Sequence, residues 1–360
     1  MNAKPLLMLL ALMLLGGCDD SAAPANGFAG LARPSEDYAQ VTRGRPFAFP
    51  QDHGAHPDFR IEWWYVTANL KDEAGHSFGV QWTLFRNALH AGGSGSGWAD
   101  NNLWLGHIGL TTANQQHSAQ YVGRGGVGQA GVQTQPLRAW IDKNSLRTLT
   151  APGTPDPLAH MALQGSGKGF GYQLELRTQQ PPVLQGDGGY SQKSLKGQAS
   201  YYYSQPFFQA SGSIDLDGKR YQVSGPAWLD REWSSQALAA DQPGWDWLAL
   251  HLEDGSQLML YRLRQKDGED YLTGNWIDPK GNNQQLSAAA LQLRPQILTQ
   301  VRGHSVPTSW TLNIPGKQLQ IVIEALNPQA WMALSTGYWE GPVRFSGSQE
   351  GVGYLEMTGY

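Results

Sequence analysis

Apolar and polar positions alternate in short runs along most of this chain, and Gly, Pro, Asn and Asp separate the runs. Phe78, Val80, Trp82 and Leu84 fall on one face of a strand, and Tyr172, Leu174 and Leu176 on one face of another. Residues 214–223 read as a hairpin with Asp217-Gly218 at its turn, the strongest short-range hairpin signal. Residues 319–323 and 354–360 predict late strands, and the Gly- and Ser-rich residues 91–98 predict a flexible loop at a rim. A second polar stretch at 181–197 predicts another loop, and residues 287–293 are the best candidate for a single short helix. Repeated strands with so little helix imply antiparallel sheets that are closed or nearly so, because closure removes exposed edges. The fold class is therefore all-β.

Residues 52–70 stand out within this pattern. Two histidines, several charges and three adjacent aromatics, Trp63, Trp64 and Tyr65, crowd the point where a polar loop becomes a strand. A weaker echo comes later, where Asp246-Trp247-Leu248-Ala249-Leu250 precedes a turn. Beyond each turn lies a second apolar strand that ends in arginine, Arg86 in one case and Arg262 in the other. The match predicts two related halves, each built on an acidic-Trp hairpin.

Composition sharpens this reading. The 14 Trp, 14 Tyr and 44 Gly suit many short strands joined by tight turns. A net charge of −4 with scattered lysines and arginines argues against a nucleic-acid partner. Lys4 and the apolar run at residues 6–15 match a signal-peptide core, too short for a permanent span, and Leu15-Gly16-Gly17-Cys18 reads as a lipobox. Residues 1–17 are then a signal peptide, and Cys18, the sole cysteine, is expected to carry lipid that holds the protein to a membrane facing the periplasm. Asp19 and Asp20 favour the inner membrane over the outer. Residues 18–45, rich in Ala, Pro, Gly and Ser, form a tether, and the roughly 315 residues beyond it suffice for two domains, expected at 46–205 and 206–360.

Four ordered motifs carry a resemblance. Residues 52–70, the run Gly225-Pro226-Ala227-Trp228-Leu229-Asp230-Arg231-Glu232-Trp233, the stretch Gly244-Trp245-Asp246-Trp247, and the ending Gly337 to Gly341 with Gly353 to Tyr360 resemble the AttH-like lipocalin family. The resemblance implies two tandem lipocalin-like antiparallel β-barrels. It extends, more distantly, to carotenoid 1,2-hydratases and to fungal enzymes that fold a polyene between two barrels. It also implies, for bacterial lipoprotein members, a secreted hydrolase or a partner of an ABC transporter permease.

The candidate chemistry falls in two stretches. Asp52, His53, His56, Asp58 and Glu62 place carboxylates around two histidines, but no third strong metal ligand follows at fixed spacing, so neither metal nor cofactor is assigned. These side chains form either a hydrogen-bonded rim or a polar cleft wall, with His53, His56, Glu62 and Trp64 as candidate ligand contacts. In the second stretch, strand alternation puts Trp228, Asp230 and Glu232 on one face and Leu229, Arg231 and Trp233 on the other. A carboxyl group against tryptophan is desolvated, holds its proton near neutrality and can protonate an alkene, so Asp230 and Glu232 are the candidate acids. Trp228, Trp245 and Trp247 can face a resulting cation. Arg231 is a ligand contact or pairs with Asp230, Glu232 or Glu62. His107, alone in an apolar strand, is a core histidine or a polar ligand contact. Gly75-His76-Ser77-Phe78-Gly79 matches the serine-hydrolase pattern but sits in a hairpin turn, so Ser77 is not assigned as a nucleophile. Two classes follow: a membrane-anchored carrier holding a hydrophobic molecule in an aromatic cleft, as an accessory to an ABC transporter, or a hydratase or lyase acting on an apolar alkene.

Overall fold

The computed structural model describes residues 37–92, 95–151 and 153–360. The predicted signal peptide, Cys18 and most of the tether lie outside the described residues. Among the described residues, no helix is long and apolar enough to cross a membrane.

The first half opens with a meander of four strands: β1 (Ile61–Asp72), β2 (Ser77–Ala88), β3 (Asn102–Thr112) and β4 (Gln116–Arg124). Five shorter strands follow: β5 (Ala130–Thr134), β6 (Leu137–Ile141), β7 (Asn144–Thr148), β8 (His160–Gly167) and β9 (Phe170–Arg177). Two brief strands, β10 (Val183–Leu184) and β11 (Tyr190–Gln192), lead to the long hairpin β12 (Ala199–Leu216) and β13 (Lys219–Ser234). That hairpin turns on Asp217 and Gly218, both at positive φ (50° and 82°), as the Asp-Gly signal requires. All of these strands join one 13-stranded antiparallel sheet, ordered β4-β3-β2-β1-β13-β12-β9-β8-β7-β6-β5 with β10 and β11 on β12. The β4 edge folds back on the far part of the sheet: the Tyr121 hydroxyl on β4 donates to the Ser166 carbonyl on β8 (2.8 Å).

The second half comprises β14 (Trp245–Leu252), β15 (Gln257–Leu263), β16 (Tyr271–Ile277), β17 (Asn283–Leu286), β18 (Gln292–Val301), β19 (His304–Ile314), β20 (Leu319–Ala325), β21 (Trp331–Met332), β22 (Tyr338–Gly347) and β23 (Gly351–Met357). They form a 10-stranded sheet ordered β17-β16-β15-β14-β23-β22-β20-β19-β18, with β21 on β22. Two tandem lipocalin-like sheets are therefore present, the first a barrel and the second a half-barrel. The open edge β18 is irregular: Pro295 lacks an N–H, and the register slips between Pro295 and Leu298.

The predicted internal repeat is visible in the topology. In each half the opening strand pairs with the next strand on one side and with the last strand on the other, β1 with β2 and β13, β14 with β15 and β23. Two sequence expectations need correction. The 287–293 helix is a three-residue 3-10 turn at Ala288–Ala290, after which the chain is already extended in β18; three consecutive alanines favour the turn, but Leu291 and Leu293 point into the second core. The expected seam at 205/206 falls inside β12, and the chain crosses between sheets at residues 235–244 because β12 and β13 complete the first barrel.

The two halves pack wall to wall. Trp64, Val66 and Trp82 fill the first barrel, and Leu248, Trp310 and Leu355 fill the half-barrel. A third cluster lies between the sheets, built from the outward residues Tyr65, Tyr202 and Trp228 of the barrel and Trp247, Ala249 and Tyr354 of the half-barrel. The strands at this seam are covered on both faces, and residues 227–234 of β13 are all buried. Contact is close: a Cβ added to Gly79 would lie 2.5 Å from the ring of Pro342 on β22, so only glycine fits there.

Candidate functional site

At one end of the barrel, the loop before β1 folds over the interior. Glu62 is fully buried, and register places it opposite Arg86. It accepts from the guanidinium groups of Arg86 and Arg231 and from the backbone N–H of His56 (2.9 Å). The His56 ring bridges Glu62 and Asp52 (3.2 and 3.1 Å) and stacks on Trp233 at 3.9 Å. Asp52 takes two further bonds from Arg45 (3.0 and 2.7 Å), and Arg231 lies 3.7 Å above the Trp64 ring. Burial by itself raises both acids, yet their cations and hydrogen bonds prevail: Glu62 and Asp52 are held well below the usual carboxylate range. Burial, reinforced by Arg231, pushes His53 down to about 3, so it is a neutral ring bonded through Nδ1 to the Tyr203 hydroxyl (2.6 Å). Every charge here has an opposite charge in contact.

The seam between the sheets is different. Asp230 accepts from Tyr202 (2.8 Å), Trp228 Nε1 (2.6 Å) and Ser204 (2.5 Å), and among the described residues no cation bonds to it. Burial pushes its carboxyl up to about 7 against those bonds, and Glu232 adds to the rise. From the facing sheet, Glu356 accepts from Trp245 Nε1 (2.5 Å) and is likewise pushed up to about 7, first by burial and then by the charges of Asp230 and Glu232. Glu340, bonded to the Tyr65 hydroxyl (2.5 Å), is raised well above the carboxylate range by burial and by Glu356. Glu232 instead forms an ion pair with Lys193 (2.8 Å), whose ammonium lies 4.3 Å from the centre of the Tyr261 ring. The repeat governs this arrangement: Glu232 faces Trp63 across β13 and β1, and Glu356 faces Trp247 across β23 and β14, so each half supplies one Trp–Glu pair to the seam. Among the described residues, no three His, Cys, Asp or Glu side chains are placed to hold a metal ion.

The sequence matches the family described as AttH-like over residues 40–360. The chain belongs to the AttH-like family. An AttH protein from Nitrosomonas europaea has a similar solved structure, with 32% identity, a TM-score of 0.79, and coverage of 89% of this chain and 99% of that one. Kievitone hydratase from Nectria haematococca is similar in fold at 14% identity and a TM-score of 0.66, covering 89% of this chain and 96% of that one. CghA, solved with Sch210972, follows at 13% identity and a TM-score of 0.51, covering 83% and 88%. No curated protein matches the sequence.

In this AttH-like chain the residues singled out from sequence divide between the two regions. His53, His56, Glu62, Trp64 and Arg231 meet at the barrel end, where Arg231 takes Glu62 as its partner. Asp230, Glu232, Trp228, Trp245 and Trp247 meet at the seam. His107 also reaches the seam, bonded to the Tyr338 hydroxyl (3.0 Å) and pushed down to about 4 by burial. The seam is packed with side chains, with Trp228, Tyr202 and Tyr354 at most 1% exposed, where an aromatic cleft was expected; wall-to-wall contact of two sheets leaves each strand's outward side chains to fill the space between them. Sequence reasoning missed Lys193, Glu340 and Glu356. For Glu356 a signal existed: alternation along Tyr354-Leu355-Glu356-Met357 places Tyr354 and Glu356 on one face, mirroring Trp228 and Asp230. For Lys193, beyond a three-residue strand in a polar stretch, there was none. Ser77 opens β2 directly after the hairpin turn, as its discounting required.

Proposed function

We propose that the seam is an acid–base site that adds water to, or removes it from, an apolar alkene. The observation that supports this reading is the pair Asp230 and Glu356, one from each sheet, both without a cation partner among the described residues and both pushed up to about 7 by burial. Two coupled carboxyls in this range share their protons unequally, so one can donate while the other accepts. Protonated Asp230 transfers its proton to an alkene carbon, forming the C–H bond and leaving a cation on the neighbouring carbon. The faces of Trp228 and Trp247 stabilise that cation. Water then bonds to the cationic carbon, and Glu356 takes the released proton; the reverse sequence eliminates water. Glu232, paired with Lys193, holds the ammonium in place. A hydratase among the proteins of like fold is consistent with this class. Because the seam is packed, a substrate would have to displace side chains to reach these groups, and Trp63, Trp245, Phe207 and Tyr271, the partly exposed members of the seam cluster, are where it would enter.

The test is incubation of the protein with isoprenoid alkenes in ¹⁸O-labelled water, followed by mass spectrometry. The expected result is a labelled alcohol whose formation falls about 10²- to 10⁴-fold in Asp230→Asn and in Glu356→Gln. Unchanged labelling in both variants would discard the assignment. The aromatic residues of the seam also support a second reading, a carrier of a hydrophobic molecule anchored through Cys18 to the inner membrane on its periplasmic side, beside an ABC transporter permease. Native mass spectra that show a retained apolar ligand, with no labelled alcohol, would favour the carrier.

A further inference from the structure

The barrel end where the chain enters carries an apolar rim unrelated to the seam. Leu89, directly after β2, is 68% exposed, Trp98 77%, Val122 56% and Val127 40%. These residues form one surface. The Leu89 N–H donates to the Asn101 carbonyl (3.0 Å) at the start of β3, and Gly125 N–H donates to Asn102 (2.9 Å), which joins the turn carrying Val127 to the same strand end. Arg124 donates to the Trp98 carbonyl and lies 5.6 Å from its ring centre. Exposed indole and aliphatic groups with a guanidinium beside them are poorly suited to water and well suited to the boundary between lipid headgroups and acyl chains.

The path of the chain indicates what covers this rim. The Tyr38 hydroxyl donates to the carbonyl of Ala88 (3.1 Å), the residue before Leu89, so the segment preceding the barrel arrives at the rim itself. Between Cys18 and Asp37 lie 18 residues, which span at most about 60 Å when extended. We infer that this rim lies against the surface of the phospholipid bilayer, with Trp98 and Leu89 in the headgroup region. The inference rests on the anchored reading of Cys18 and is independent of the chemistry at the seam. Lipid at Cys18 sets the local concentration; the rim sets the orientation.

Cys18 is the sole cysteine, so in the acylated full-length chain Trp98→Cys supplies one free thiol for an environment-sensitive fluorophore. Val322→Cys, on the exposed face of β20, supplies the control. In phospholipid vesicles doped with headgroup-region nitroxide lipids, the position-98 label should be quenched at least about twofold more than the position-322 label. Leu89→Ser in the position-98 background should reduce that difference. Equal quenching at both positions in acylated protein overturns the docking alone. Shielding of position 98 only when other envelope proteins are added also overturns it, in favour of a protein partner. A Cys18 found without lipid by mass spectrometry in protein from its host overturns the anchor and the docking together.

Discussion

Glu62 and Asp246 occupy matching positions in the two halves, and both differ from the acids at the seam. Each of the pair lies at the start of its opening strand, is fully buried, and faces an arginine across the hairpin: Glu62 opposite Arg86, Asp246 opposite Arg262. Each then gains a second cation, Arg231 for Glu62 and Arg264 (2.7 Å) for Asp246. Asp230 and Glu340 are also buried and Glu356 is half-buried, but they point between the sheets at tryptophans and tyrosines. Burial penalises every one of these charges; what differs is the face of the pleat. Asp230 and Arg231 are chain neighbours, and a strand sends them to opposite sides, so the arginine neutralises an acid on β1 and leaves its own neighbour without a cation. One short sequence thus supplies a structural ion pair and a proton-holding carboxyl.

The comparison is broken most readily by removing one acid of each kind. Glu62→Gln and Asp246→Asn leave buried guanidinium groups uncompensated, and each should cost about 3 to 5 kcal/mol of stability in denaturant unfolding at pH 7. Asp230→Asn should cost far less, since it removes a charge that burial already disfavours. Similar losses at all three positions would end the distinction.

A pH series sharpens it. In the folded protein Asp230 and Glu356 keep their protons up to about 7, whereas unfolded carboxyls lose them near 4. Between these values the folded state binds more protons, so this contribution is complete below about pH 4 and declines as pH rises to about 7, by on the order of 3 to 4 kcal/mol for each carboxyl. Glu62 and Asp52, depressed in the fold, contribute oppositely: their stabilisation is present above the unfolded value near 4 and is lost as pH falls through the folded value. Unfolding of Asp230→Asn between pH 5 and 8 should therefore show a flatter decline than the parent, while Glu62→Gln keeps the decline. An identical slope in Asp230→Asn would contradict the raised value.

The smallest effect concerns Tyr202. Its hydrogen bond favours ionised Asp230, so Tyr202→Phe should raise that titration further, at a stability change of about 1 kcal/mol. Infrared titration of the protonated carboxyl band reads the shift directly. No upward movement would mean that Tyr202 does not set the proton affinity of Asp230.

Much of this was legible beforehand. The alternation in Phe78, Val80, Trp82 and Leu84, the Asp217-Gly218 turn, and the paired hairpins ending in Arg86 and Arg262 each depend on neighbours close in sequence. Alternation also placed Asp230 with Trp228 and against Arg231. Residues meeting across long separations were another matter: Lys193 reaches Glu232 from a polar connection, and Glu356 faces Trp247 only because the last strand returns to the first.

By itself, then, the sequence determined the strands, their inward and outward faces, the doubled hairpin and the family, since each follows from local periodicity and turn chemistry or from ordered motifs. Tertiary structure decided which outward face would be sealed. A strand's pleat fixes where a carboxyl points, but only the second sheet closing over β1, β12 and β13 removes water from Asp230, and desolvation is what turns an ordinary aspartate into a group that holds a proton at neutral pH.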